Sequence, residues 1–276
     1  MKKNKKIITY IVMLLILISI SRGLIPQNNE YTITTIKTED SIKNISYYKE
    51  KNLSRYIKYK KEFPNLSNTQ IVTEVNIGLD KPYYTNTKKA KNLNNILILV
   101  NKYNYLEKDY IPNELELINS NYSNHDIKLV KEARLAFEKM AEDAAQKNLN
   151  IIAMSAYRTY NYQEILYNKY VSIDGKEKAD TYSARPGHSE HQTGLAVDVY
   201  NKKLPYTHFE ETKEYIWMQE NAHKYGFILR YPKNKVKQTG YQYESWHYRY
   251  VGTDIATYIS KNNITYDEYY IQNIEK

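Results

Sequence analysis

Cysteine is absent from the 276-residue chain. That excludes a disulfide framework, a thiol nucleophile, a cysteine-ligated zinc site and lipidation through cysteine. Glycine is scarce, at 8 residues, and no glycine-rich phosphate-cradling loop is present. Phe and Trp number only 4 and 2, whereas 31 tyrosines carry almost all of the aromatic content. That bias reads as a compositional habit of the source rather than a functional device. No basic run of five or more residues occurs outside the N-terminus, so nucleic-acid binding is not expected. What is present is 42% hydrophobic and 26% charged residues, enough for a packed core in one or two domains. Of the net charge of +9, five charges fall in residues 1–29, as Lys2, Lys3, Lys5, Lys6 and Arg22 without an acidic residue. The mildly basic remainder suits an anionic polymer such as a cell wall.

The basic start is followed by an apolar stretch, Ile7 to Ile20, extended by Leu24-Ile25. This is the pattern of an export segment. Ile7–Ile25 is just long enough to span a bilayer, which needs roughly 17–25 residues, and the preceding lysines favour a cytoplasmic N-terminus. Residues 1–6 are therefore expected as a cytoplasmic tail and 7–25 as a signal or membrane anchor, with an uncleaved single-pass anchor preferred over a cleaved signal. The bulk of the chain is expected outside the cytoplasm.

Residues 26–95 read as a polar linker and accessory region. They hold one short helix around Ile42–Lys61, a strand-like run at Ile71–Ile77 and a turn at Gly78–Pro82. A second strand-like run covers Ile96–Val100. The spacing of Val130, Ala133, Phe137, Met140, Ala141 and Ala144 predicts a helix over 126–148, capped by Ser123, Asn124 or Asp126. Further helices are expected at Tyr162–Val171, at Glu210–Tyr225 ending on Gly226, and at Thr253–Ile259. Strands are expected at Ile151–Ser155, Leu195–Val199, Phe227–Leu229 and Trp246–Tyr250. Helices and strands mix without regular βαβ repetition, so the fold class is α+β.

Chemistry concentrates in two segments, Arg185–Tyr200 with His188 and His191, and Tyr243–Tyr250 with His247. His191 and Asp198 lie seven residues apart around Gly194, which suits a loop ligand followed by a ligand on the next strand, and His247 is the natural third. Two histidines, one carboxylate and an open position form a catalytic zinc arrangement, and zinc brings the pKa of bound water to about 7. Glu244, three residues before His247, has the place of a water-activating base if the chain bends at Ser245. The spacing alone is a weak signal, and by itself it fits two solvated loop residues and a satisfied core histidine better.

The segment Ser189-Glu190-His191-Gln192-Thr193-Gly194-Leu195-Ala196-Val197-Asp198 resembles the S-x-H-x-x-G-x-A-x-D signature of zinc D-Ala-D-Ala peptidases, above all the VanY-type D-alanyl-D-alanine carboxypeptidases and the related L,D-carboxypeptidases. Arg185–His188, Glu244-x-Trp246-His247-x-Arg249-Tyr250, Val100–Tyr103 with Asp109–Pro112, and Ser155–Arg158 are similar to that family too. The resemblance implies a small mixed or antiparallel sheet flanked by helices, the hedgehog-like peptidase fold, over a catalytic domain at 96–262, followed by a C-terminal tail at 263–276. It implies one zinc held by His191, Asp198 and His247, Glu244 as catalytic base, and Arg158 on the carbonyl oxygen or the substrate carboxylate. Gln163 and Ser189 are implied as hydrogen-bonding residues for the peptide. Ser245 departs from the Pro common in relatives but removes no reacting group.

The implied activity is removal of the terminal D-Ala from peptidoglycan stem peptides, with D-Ala-D-Ala cleavage favoured over L,D-cleavage of tetrapeptides and over a D,D-dipeptidase. A non-catalytic wall-binding module on the same fold is the reading from a different class, and a cytoplasmic peptidase would need Ile7–Ile20 to be buried. A monomer suffices. Among the remaining residues, His188 is either a support for the ligands or a solvated loop residue. Glu190 is expected to point away from the site on an extended chain. His125, His208 and His223 are expected at the surface, Asp174 and Asp180 near the cleft, Tyr157, Tyr160 and Tyr162 in packing, and Trp246 as a pocket wall.

Overall fold

A computed structural model describes residues 39–275. The expected tail 1–6 and anchor 7–25 lie outside the described residues, and among those described no helix is long and apolar enough to cross a membrane. The chain divides into two compact units, one ending at Val72 and one beginning at Thr73.

In the first unit, helix α1 (Leu53–Glu62) buries Tyr56 and Tyr59. Helix α2 (Asn68–Ile77) follows, with the division between the units inside it. The apolar run Ile71–Ile77, expected as a strand, is helical. Its start explains why: Ser67 Oγ accepts from Gln70 N at 3.2 Å while Ser67 N donates to Gln70 Oε1 at 2.9 Å, a reciprocal cap that satisfies two helix-end donors.

The second unit begins with short pairings. Strand β1 (Lys88–Lys89) runs parallel to β2 (Asn104–Tyr105), and β3 (Leu115–Leu117) pairs antiparallel with β4 (Lys128–Val130). Ile96–Val100, expected as a strand, carries none. Helix α3 (Lys131–Ala145) starts later than the pattern indicates, because 128–130 are taken into β4; its N-cap is Val130 and no side chain caps it. Its stripe of Ala133, Phe137, Met140, Ala141 and Ala144 is buried as expected.

The main sheet holds β5 (Ile152–Ser155), β6 (Ala196–Tyr200), β7 (Phe227–Leu229) and β8 (His247–Tyr250), in the order β5-β6-β8-β7 with every neighbour antiparallel. The central strand β6 is an apolar run buried on both faces, with Asp198 as its one charged residue. Phe137 of α3 meets Phe227 of β7 edge-on at 6.2 Å, and Phe227 in turn meets Tyr250 at 5.3 Å. The hydroxyls of buried tyrosines tie the layers together: Tyr250 donates to Glu132 of α3 at 2.7 Å, and Tyr248 accepts from Gln219 at 3.2 Å.

Helix α4 (Tyr160–Asp174) begins directly after β5, where the Thr159 side chain accepts from Tyr162 N. The expected helix Glu210–Tyr225 is broken at Thr212, whose extended backbone separates a 3-10 segment from α5 (Lys213–Asn221). Gly226 ends the following turn at φ 82°, as its position indicates. Helix α6 (Thr253–Asn262) is followed by α7 (Tyr266–Tyr269), so the residues expected as a C-terminal tail are folded. Thr265 and Glu268 form a capping box there, and Asp267 is buried.

Gly187 stands at φ 81°, and a Cβ there would lie 2.7 Å from the backbone oxygen of Leu106. Neither the dihedral nor the backbone can yield, so Gly187→Ala should cost about 1–3 kcal/mol. Urea unfolding should show a lowered midpoint with an unchanged m-value, and an unchanged midpoint would refute the contact.

Candidate metal centre

Strand register builds the site. Asp198 of β6 pairs with His247 of β8, and Ser155 of β5 pairs with Asp198 across a bulge. Directly opposed residues project from one face, so Asp198 and His247 meet without help from any loop. His191 arrives from a 3-10 turn, Glu190–Thr193, that ends on Gly194 at φ 68°. Gly194 allows the reversal into β6 because a left-handed residue costs nothing without a side chain, and a Cβ there would sit 2.9 Å from Leu115 Cδ2.

His191, Asp198 and His247 are all buried, and each offers a ligand atom within 4.8 Å of the others. His191 Nδ1 lies 2.6 Å from the carbonyl oxygen of Ala156. A carbonyl only accepts, so Nδ1 carries the proton and Nε2 a lone pair. That lone pair stands 3.2 Å from Asp198 Oδ2, and His247 Nδ1 stands 2.9 Å from Asp198 Oδ1. An imidazole nitrogen facing a carboxylate oxygen is joined to it either by a ring proton or by a shared metal ion. Two nitrogens and one carboxylate with no sulfur match the donor set of a catalytic zinc. The residues fit that metal.

The charges of His191 and Asp198 agree with this role, whereas at His247 burial is outweighed by hydrogen bonding to Asp198, which raises it to about 9, so a metal there would displace a ring proton. Burial, reinforced by the nearby Arg158 cation, pulls His191 down to about 4, leaving it a neutral ligand at pH 7. Burial opposes ionisation of Asp198, but His191 and His247 outweigh it and hold the carboxyl well below its usual range. Glu244 stands beside the donors, its Oε2 3.8 Å from His247 Nδ1. The bend needed at Ser245 is present as a turn, with His247 N 3.4 Å from Glu244 O. Burial, joined by the negative charge of Asp198, raises Glu244 to about 7.

Arg158 reaches in from the loop after β5. It donates from Nη2 to Asp198 Oδ2 at 2.8 Å, from Nε to Ser155 Oγ at 3.1 Å and from Nη1 to Gln163 Oε1 at 3.1 Å. The other end of the Gln163 amide donates to Ala184 O at 2.8 Å, so Gln163 braces Arg158. Ser189 is buried at the edge of the same cleft, a space of about 550 Å³. Tyr162, Tyr206, Tyr243 and Trp246 form its walls, with Tyr206 edge-on to Trp246 at 4.9 Å.

Other sequence candidates fall elsewhere. His188 hydrogen-bonds Asn101 O at 2.8 Å and meets Tyr84 edge-on at 5.0 Å, outside the group of three donors. His125 and His208 are exposed, and His223 is half-buried. Asp174 borders the cleft, whereas Asp180 is paired with Arg185 at 2.6 Å. Glu190, expected to point outward, is fully buried behind the site, because a 3-10 turn rather than an extended chain carries it. Its partners Arg230 and Arg249, and Asp267 on the far side of Arg230, escape a reading of local sequence. The signals were Arg249 two residues beyond His247 on one strand face, and the T-x-x-E cap around Asp267.

A buried His-Asp-His group on an antiparallel sheet, with a free carboxylate at its side and an open cleft in front, defines a mononuclear zinc hydrolase. Residues 126–253 match the family described as VanY: D-alanyl-D-alanine carboxypeptidase. YodJ of Bacillus subtilis (strain 168) is 38% identical over 217 residues, covering 74% of this chain and 78% of YodJ. Among solved structures, the LD-carboxypeptidase LdcB aligns with a TM-score of 0.64 at 38% identity, over 68% of this chain and 91% of LdcB. The vancomycin-resistance D,D-pentapeptidase VanY of a VanB-type cassette, solved with Zn(II), aligns with a TM-score of 0.55 at 33% identity, over 63% of this chain and 97% of that one. The chain belongs to the VanY family of zinc carboxypeptidases.

Replacing any of the three donors should abolish retention of one zinc. His191→Ala, Asp198→Ala and His247→Ala are each expected to emerge from desalting metal-free by mass spectrometry, with far-UV circular dichroism unchanged. A variant that keeps a full equivalent would strike that residue from the ligand set.

Proposed function

We propose that the chain is a zinc-dependent carboxypeptidase that hydrolyses the terminal D-Ala from peptidoglycan stem peptides, with D-Ala-D-Ala as the favoured cleavage site. The observation that carries this reading is the placement of the Glu244 carboxylate beside the three donors, at the floor of an open cleft. Bound to His191, Asp198 and His247, zinc supplies a Lewis acid and lowers the pKa of water toward about 7.

The chain's own groups do the rest. Glu244 accepts a proton at its carboxylate as water adds to the scissile carbonyl, then returns it to the leaving amine nitrogen of D-Ala. Its burial keeps the carboxylate poorly solvated and ready to accept. Beyond its bond to Asp198, Arg158 offers guanidinium hydrogens to the carbonyl oxygen or to the terminal carboxylate of the substrate. Gln163 fixes the plane of that guanidinium. Ser189 bonds the peptide at the cleft edge, and Trp246 with Tyr206 excludes water from one side.

Residues 96–262 carry the chemistry within the unit that begins at Thr73, and the chain before that unit links it to a membrane anchor at Ile7–Ile25, with the enzyme working outside the cell as a monomer. The support for the anchor is the basic start followed by the apolar run. A second reading, L,D-cleavage of tetrapeptide stems with the same residues, is favoured by the likeness to LdcB.

Purified protein is expected to release D-Ala from the UDP-linked pentapeptide, with activity lost to a chelator and restored by zinc. Release from the tetrapeptide alone would assign L,D-cleavage, and no release from either, with zinc bound, would favour a wall-binding module. Glu244→Ala should lower kcat by about 10²–10⁴-fold while zinc content and wall binding persist; unimpaired turnover would remove Glu244 as the base. For the anchor, the full chain should sediment with membranes and dissolve only in detergent, and recovery in the soluble fraction would dismiss it.

A further inference from the structure

Behind the metal centre lies a charged layer that takes no part in the steps above. Glu190 is fully buried, and its Oε1 accepts from both Arg230 Nε at 2.8 Å and Arg249 Nη1 at 2.9 Å. Arg230 is held from its other side by Asp267 Oδ2 at 2.6 Å, and Asp267 Oδ1 accepts from Asn101 Nδ2 at 2.7 Å. Arg249 donates further to the backbone oxygens of Ile96, Ile98 and Tyr250, at 3.0, 2.7 and 2.9 Å. Two guanidinium donors on one oxygen are the partners of a carboxylate rather than of a carboxylic acid.

Both arginines bind the same oxygen. The other, Oε2, is buried without a hydrogen-bond partner, and so is Nε2 of His247. These two atoms face each other at 3.7 Å. On its opposite edge the His247 ring turns Nδ1 toward Asp198. A histidine that ligates through one nitrogen must carry its proton on the other, and a carboxylate at that second nitrogen fixes both tautomer and ring orientation.

We propose that Glu190 is the positioning residue of the metal centre, accepting Nε2–H of His247 so that the bare Nδ1 is presented to zinc. The inference rests on the zinc reading of His191, Asp198 and His247. Arg230 and Arg249 keep Glu190 from swinging toward other donors, and Asp267 brings the C-terminal helix α7 into the same support. An amide cannot replace this carboxylate. If its oxygen faces the arginines, its NH₂ meets the His247 N–H, donor against donor; if it turns round, the NH₂ meets the arginines.

The experiment measures zinc affinity of the full-length protein in detergent, by competition with a chromophoric chelator, for wild type and Glu190→Gln. Denaturant midpoints are recorded alongside. Wild type should bind one zinc, and Glu190→Gln should bind it roughly 10–100-fold more weakly, with turnover recovering at saturating zinc. Unchanged zinc affinity in folded Glu190→Gln overturns the proposal. Histidine ring ¹⁵N spectra of zinc-loaded wild type give a reading that needs no variant. Nε2 protonated and Nδ1 metal-bound on His247 is the expected pattern, and the reverse overturns the proposal even if Glu190→Gln does not fold. Absence of zinc binding by wild type would instead overturn the metal reading itself.

Discussion

The molecule is organised by one pairing, Asp198 opposite His247 across β6 and β8. Two ligand side chains are set by backbone hydrogen bonds rather than by loop conformation, which fixes them as tightly as the sheet itself is fixed. A charged residue in the middle of a buried apolar strand is otherwise a heavy penalty. Here it is compensated by His247 and Arg158, while His191 faces the same carboxylate from a third segment. The sheet must therefore form in the right register for any of them to be satisfied.

A second layer of charge lies beneath the first, with Glu190 shared by Arg230 and Arg249. Such buried networks contribute little net stability, because desolvation offsets most of the attraction. Their use here is geometric. They hold a carboxylate at a defined point behind a ligand, and they tie the β7–β8 edge to a helix formed after residue 262. Remote sequence thus bears on the metal centre through buried ion pairs.

That His191, Asp198 and His247 come together is legible because their residue types and order follow two motifs, Ser189–Asp198 and Glu244–Tyr250, and the strands around them because Leu195–Val199 and Phe227–Leu229 are apolar runs between turn signals. The layer behind is not. Glu190 was placed outward because alternation assumes an extended chain, and a 3-10 turn reverses it. Ile71–Ile77 has the composition of a strand, and only the cap between Ser67 and Gln70 decides for helix. The folded C-terminus depends on Asp267 meeting Arg230, a contact between residues 37 apart that no local window contains. Local pattern reveals the elements that carry chemistry. Long-range charge pairing, which fixes those elements, is revealed only by the fold.

The scarcity of tryptophan has an optical consequence. Of the two indoles, Trp246 stands between Glu244 and His247 on the wall of the cleft, and Trp217 packs near Tyr225 on α5. With so few emitters, about half of the intrinsic tryptophan signal originates at the site where peptide and metal bind. Replacing Trp217 by Phe would leave a single indole, excitable to the red of the tyrosines, so that filling of the cleft could be followed in real time by emission from the protein alone, without label or coupled assay.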